Sequence, residues 1–398
     1  MRSLAVIALA AAPALLLVAS CTLPGPSVQA AGSDRRVSVR RDPPGSIWPE
    51  RLPATTPRYE VRRGAPPTDL GVYARCHVLQ LSAGRRDPLL FFSSRTRERL
   101  YEPRGHLKVS LKADQNLTRF VTRDHRMTLV ELEPASTPAA RGTVIYLASI
   151  MGLPPQEQAF LRRLRRAGWN VAACLPSLEL FYRDGWPRLE GGGDLTKAAR
   201  HLAERIDGHL AERAYAVEAL LEYLAEERPA WLEVPRVAIG SSAGAIALPA
   251  VVARIGEVDA AVLIGGGAHV PRIIMDSWLG IYKPVLHVEA PQPGAGRNPH
   301  QTTRPLTPRE RRLLKEQAFR KSRLDPAHLG SVLNGTPTLL VSARHDGIVP
   351  AETGDLLYEA LHRPERWTYP VGHVILFLGL PSQAGKVAAW LDQHAVAR

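Results

Sequence analysis

Ser242 stands at the centre of Gly240-Ser241-Ser242-Ala243-Gly244, a G-x-S-x-G pattern. The apolar run Val234-Pro235-Arg236-Val237-Ala238-Ile239 precedes it, and small apolar residues, Ala245-Ile246-Ala247-Leu248, follow. A buried strand, a tight turn and a helix start would hold the serine at a strained apex. Glycines two residues to either side would let strand and helix close on each other. A serine hydroxyl is a poor nucleophile at neutral pH and needs a base within hydrogen-bond reach. On a bland reading Ser242 is only a helix N-cap after a strand, so its meaning depends on what else the chain supplies. Ser241 carries no chemical expectation, because the side chain before the nucleophile does not reach the reacting oxygen.

Two later segments supply the missing partners in the order Ser, Asp, His. Thr338-Leu339-Leu340-Val341-Ser342-Ala343 reads as an apolar strand, and its exit carries Asp346-Gly347-Ile348-Val349-Pro350. Trp367-Thr368-Tyr369-Pro370-Val371-Gly372-His373 reads as a short strand ending in Gly-His. An imidazole titrates near neutrality, which suits His373 to the base role. A carboxylate must orient that imidazole and stabilise its charged form, and Asp346 fits. The alternatives are a plain Asp-Gly turn and a solvated loop histidine. His345 and His269 read as bystanders, and Asp259 lies at the wrong end of its strand to join the group.

The three motifs in this order resemble the α/β-hydrolase superfamily. The resemblance covers residues 118–398. It implies a mainly parallel sheet with helices on both faces and a catalytic triad of Ser242, Asp346 and His373. It also implies an oxyanion hole, with one N–H from Ala243 and another from the loop Ser149-Ile150-Met151-Gly152. By position that second donor is Ile150, or Met151 if the loop is offset. The family usually has His-Gly here, whereas this chain has Ala148-Ser149. Esterase or lipase action on carboxylic esters is the expected activity, through an acyl-enzyme and without cofactor or metal. A lysophospholipase-like or peptidase activity is the runner-up on the same fold, and a catalytically silent binding lipoprotein is the reading from another class.

Hydrophobic periodicity outlines the elements that must position these residues. Phe120 to Leu132 alternates around a polar turn, as a hairpin does. Strands are expected at 143–148 and 169–174, with a helix from about Pro155 to Ala167 between them. In 196–227, Ala203, Ile206, Leu210, Ala214, Val217, Leu220, Leu221 and Leu224 recur at helical spacing. Pro249 should kink or shorten the helix after Ser242. Residues 267–333 exceed what a crossover needs and suggest a cap insertion, with a loop from Pro291 to Pro305. Thr307-Pro308-Arg309-Glu310 forms a capping box there. Ile273, Ile274, Met275, Trp278 and Leu279 are either an acyl pocket or ordinary cap core. Residues 67–117 form an extension with strands around Val72–Leu81 and Leu107–Leu111.

The N-terminus begins Met1-Arg2-Ser3 and continues as an apolar run to Val18, too short for a membrane span, which marks a secretory signal over 1–20. Val18-Ala19-Ser20-Cys21 is similar to the bacterial lipobox, which implies lipidation at Cys21 and an outer-membrane protein facing the periplasm. Residues 21–66, rich in Pro, Arg, Ser and Gly, have the composition of a tether. Cys76 and Cys174 either bridge or stay unpaired. At 398 residues and 45% apolar, the chain is long enough for one large α/β core. A net charge of +13 would permit anionic partners. The arginines nevertheless spread along the whole chain without a nucleic-acid motif. The expected partners are therefore an ester substrate and a membrane.

Overall fold

Strands buried along their whole length need helices on both faces of their sheet. The computed structural model shows that arrangement, and it describes residues 47–48, 99–101, 106–107, 117–121, 127–150, 152–175, 195–281, 284–289 and 301–396. The first half of the chain supplies β1 (Arg99–Tyr101), β2 (His106–Leu107), β3 (Leu117–Val121), β4 (Met127–Glu133), β5 (Gly142–Leu147), α1 (Pro155–Arg166), β6 (Trp169–Cys174) and α2 (Leu195–Glu227). Around the serine come β7 (Arg236–Ser241), α3 (Ala243–Ile255), β8 (Ala260–Ile264) and α4 (Val270–Asp276). Then follow β9 (Val285–Glu289), β10 (Gln301–Pro305), α5 (Pro308–Lys321) and α6 (Pro326–Leu329). The chain closes with β11 (Thr338–Ala343), α7 (Ala351–Ala360), β12 (Glu365–Tyr369), α8 (His373–Leu378) and α9 (Leu380–Leu391).

Eight strands form the main sheet in the order β12-β11-β8-β7-β5-β6-β4-β3. From β12 to β6 every pairing is parallel, and the hairpin β3–β4 joins the edge at β6 antiparallel. Alternation along each strand sends neighbours to opposite faces. Val144 and Tyr146 of β5 pack with Phe160, Leu164, Val387 and Trp390 of α1 and α9. Ile145 and Leu147 pack on the other side with Val217, Leu220, Leu248 and Val251 of α2 and α3. This is the α/β-hydrolase fold class. All the parallel strands point their carboxyl ends the same way, so the loops after β5, β7, β11 and β12 gather at one edge.

Most elements fall where periodicity places them. The eight apolar positions of α2 named from the periodicity are all buried. Thr307 and Glu310 make the reciprocal capping box at the start of α5. The helix after Ser242 is not shortened, since α3 runs through Pro249 to Ile255. Nearly every residue of α3 is buried, and that packing outweighs the roughly 3 kcal/mol that proline costs inside a helix. Gln301–Pro305 is a strand paired antiparallel with β9, although the composition reads as loop. Backbone pairing with β9 replaces the apolar alternation that would have marked it as a strand.

Segment 267–333 packs α4 and α5 against the N-terminal half of α2 through Ile206, Leu210, Ile273 and Leu314. Two buried acids tie it down. Asp207 accepts from the Ser322 hydroxyl and from the backbone N–H groups of Arg323 and Leu324. Asp325 accepts from those of His269 and Val270.

Trp48 packs on Tyr215, with ring centroids 5.8 Å apart. Cys174 is a free, buried thiol. The signal segment, Cys21, Cys76, the strand expected at Val72–Leu81 and all of 21–66 except 47–48 lie outside the described residues. Of the strand expected near Leu107–Leu111, only Leu107 is described, at the end of β2. Among the described residues no helix is long and apolar enough to cross a membrane.

The turn between β7 and α3 depends on missing side chains. A Cβ on Gly240 would lie 2.6 Å from the Gly244 backbone, and one on Gly244 would overlap the Leu147 carbonyl. Backbone cannot yield as a flexible side chain can. Gly244→Ala should therefore destabilise the fold by at least about 2–3 kcal/mol. Gly208→Ala, in open space within α2, should stabilise it by about 0.5–1 kcal/mol. Denaturant midpoints of the two variants test the contrast, and a neutral Gly244→Ala would contradict it.

Candidate active site

Ser242 occupies the apex between β7 and α3 at φ 51° and ψ −113°, a conformation that L-residues avoid. Its N–H donates to the Ile264 carbonyl at 2.7 Å, which pins the turn to the end of β8. Asp346 follows β11, and its Oδ1 accepts from the N–H groups of Ile348 and Val349 at 2.9 and 2.8 Å. That leaves Oδ2 for His373, the first residue of α8, whose Nδ1 lies 2.6 Å away. The other ring nitrogen, Nε2, is 3.0 Å from the Ser242 hydroxyl. The imidazole also packs against Phe377, with ring centroids 4.7 Å apart. The structure thus brings Ser242, His373 and Asp346 into one chain of contacts, with all three side chains nearly enclosed.

Ala243 opens α3, and the first N–H groups of a helix have no intrahelical acceptor. Ile150 lies in the tight turn 149–152, closed by the Gly152 N–H donating to the Ser149 carbonyl at 3.0 Å. Met151 lies outside the described residues. Ile150 and Ser242 both line two adjoining cavities, of about 90 and 420 Å³. The smaller is walled by Ile246, Val270, Ile273, Ile274 and Val349 among others. The larger reaches His373 and an outer rim of Leu279, Val374 and Leu378. Ile273, Ile274 and Leu279 therefore face cavity, Met275 is core, and Trp278 is an exposed neighbour of Gly347.

The remaining candidates stand apart. His269 caps α4 in a left-handed conformation and stacks on Phe319, a structural joint. Asp259 accepts from the Arg236 N–H at the opposite end of the sheet. Among the described residues no cluster of His, Cys, Asp and Glu could hold a metal.

One group escaped sequence reasoning. Glu157 of α1 is fully buried. Its Oε2 accepts from the Tyr146 hydroxyl at 2.6 Å and from the Ser149 N–H at 3.2 Å, while Oε1 has no hydrogen-bond partner among the described residues. With the Tyr146 proton committed to Glu157, the Ser241 hydroxyl donates to Tyr146 at 2.5 Å. Ser241 is thus part of a buried network rather than idle. Burial pushes the Glu157 carboxyl up to about 7, and burial beside that carboxyl drives the Tyr146 phenol well above its usual range. On the far side, Arg213 of α2 donates to the Ala148 carbonyl at 2.9 Å. Burial lowers its guanidinium to about 10. An acid in the first turn of a helix reads as dipole compensation, so only its place beside the 149–152 loop could have marked Glu157.

No family model matches the chain, and no curated protein matches it. Among solved structures it is similar to the esterase domain of a Rhodothermus marinus protein, at 15% identity over 70% of this chain and 98% of that one, with a TM-score of 0.42. Est1E from Butyrivibrio proteoclasticus is 13% identical over 71% of this chain and 100% of that one, with a TM-score of 0.45. An acylaminoacyl peptidase from Pyrococcus horikoshii is 12% identical over 71% of this chain and 42% of that one, with a TM-score of 0.47. What the site does has to be argued from its own geometry.

The raised Glu157 carboxyl has a consequence for stability. Between its ordinary value of 4.5 and about 7 the folded state holds a proton that the unfolded state has released. Stability therefore falls as pH rises through that window, by at most about 3 kcal/mol. Glu157→Gln removes the ionisation. Its melting temperature should gain on the wild type between pH 5 and pH 8, and parallel curves would show that Glu157 does not titrate there.

Proposed function

We propose that this protein is a serine hydrolase that cleaves carboxylic esters, with Ser242 as nucleophile, His373 as base and Asp346 as the acid that orients it. The observation that carries this reading is the Asp346–His373–Ser242 relay, at 2.6 and 3.0 Å, ending on a strained serine at a cavity wall. As Ser242 Oγ bonds to the ester carbonyl carbon, its proton passes to His373 Nε2. The oxyanion is held by the N–H groups of Ala243 and Ile150. When the tetrahedral centre collapses, the carbon–oxygen bond to the alcohol breaks and the imidazolium protonates the leaving oxygen. Water, deprotonated by the same histidine, then releases the acid from the acyl-serine. The apolar walls of both cavities support an ester with an apolar acyl group. Segment 267–333 serves as the cap that supplies one of those walls.

Ser242→Ala should abolish hydrolysis of short activated esters and labelling by a fluorophosphonate probe, with the melting temperature little changed. His373→Ala should lose at least as much activity as Asp346→Ala, each roughly 10⁴-fold or more. Retention of more than a few per cent of activity by Ser242→Ala would remove the serine from its role.

The anchor belongs to the same proposal and rests on Val18-Ala19-Ser20-Cys21 alone. Lipidation at Cys21 would place the enzyme on the bacterial envelope, facing the periplasm, with residues 21–66 as tether. Metabolic labelling with palmitate should mark the wild type and not Cys21→Ala. An unlabelled wild type whose mature N-terminus maps near Gly32 would overturn the anchor and leave the hydrolase untouched.

A further inference from the structure

The carbonyl of Ala148 and the N–H of Ser149 belong to one peptide group. Arg213 Nη1 donates to that carbonyl at 2.9 Å, and Glu157 Oε2 accepts from that N–H at 3.2 Å. Two side chains of opposite charge, from α2 and α1, therefore grip the same peptide plane from its two edges. The next N–H along the chain is that of Ile150, which lines both cavities with Ser242. The i→i+3 bond of the turn uses the Ser149 carbonyl and the Gly152 N–H, so the Ile150 N–H lies outside the turn's own bonding. Its direction follows from how the preceding peptide plane is held.

We infer that Glu157 and Arg213 are positioning residues that clamp the Ala148–Ser149 peptide and thereby aim the Ile150 N–H at the oxyanion. This deepens the hydrolase reading and rests on it. A buried carboxyl in this place lowers stability at neutral pH, and among the described residues its second oxygen has no hydrogen-bond partner. An apolar residue would suit the fold better, and the peptide it holds gives the acid a use. The same carboxyl reaches the residue before the nucleophile through Tyr146 and Ser241, so one group braces both donor-bearing segments. It grips hardest when ionised, because a carboxylate accepts more strongly than a neutral acid. Tyr146 on β5 and Arg213 on α2 face it directly, Glu212 on α2 and Cys174 on β6 act on Arg213, and His373 stands across the larger cavity.

The full chain, assayed on a short p-nitrophenyl ester from pH 5 to 9, tests the clamp. Below neutrality the wild-type kcat/KM should fall more steeply than that of Glu157→Gln, because the Glu157 carboxyl gains a proton and loosens its grip. Glu157→Gln should fold, lose about tenfold or more in kcat at pH 8.5 with KM within twofold, and show a shallower fall toward acid pH than the wild type. Arg213→Met should lose kcat in the same way, and Arg213→Lys should recover part of it. Parallel acid limbs in the wild type and Glu157→Gln, an unchanged kcat in Glu157→Gln, or a loss confined to KM would each overturn the clamp. The hydrolase reading is judged separately: a wild type that neither hydrolyses the ester nor reacts with a fluorophosphonate at Ser242 removes both proposals. A reactive wild type with an indifferent Glu157→Gln removes only the clamp.

Discussion

Everything at the candidate site depends on how closely α3 can approach β5. Gly244 rests on the Leu147 carbonyl with no room for a Cβ, and Gly240 faces the backbone of Gly244 in the same way. This contact sets the height of Ser242 above the sheet, and so its distance from anything carried by a neighbouring loop. Backbone-to-backbone packing of this kind has no flexible member to absorb an error. The strained torsion at Ser242 persists because the turn is held from both sides, by α3 against β5 and by the bond from its own N–H to Ile264.

Around that contact the sheet works as a jig. Parallel pairing of β5, β7, β8, β11 and β12 brings residues more than a hundred positions apart to one edge. Ser242 and His373 meet there at 3.0 Å. The described parts of 267–333 are tied to the body of the fold. Asp207 and Asp325 fix them by accepting backbone N–H groups. The cavity wall formed by α4 is thus packed directly on α2.

The strands of the sheet were legible because burial on both faces requires unbroken apolar runs, as in Thr338–Ala343. Ser242 and Asp346 were legible as candidates because each follows such a run, and His373 because Gly-His closes the short strand at the sheet edge. Other features depend on partners that no local pattern records. Gln301–Pro305 is polar and became a strand only through β9. Pro249 signals a helix end, but the packing of α3 overrides it. Ser241 looked idle because its partner, Tyr146, is ninety-five positions away. Glu157 and Arg213 each look like ordinary helix charges, and only the folded chain brings them to opposite edges of one peptide.

Cys174 ends β6, and its carbonyl accepts the Ala148 N–H at 3.0 Å, directly beneath the 149–152 loop. Burial pushes its thiol up to about 12. Oxidants and disulfides react with thiolates, and at neutral pH this sulfur is thiol almost without exception. The footing of the loop therefore holds a sulfur that is slow to react with oxidants and disulfides.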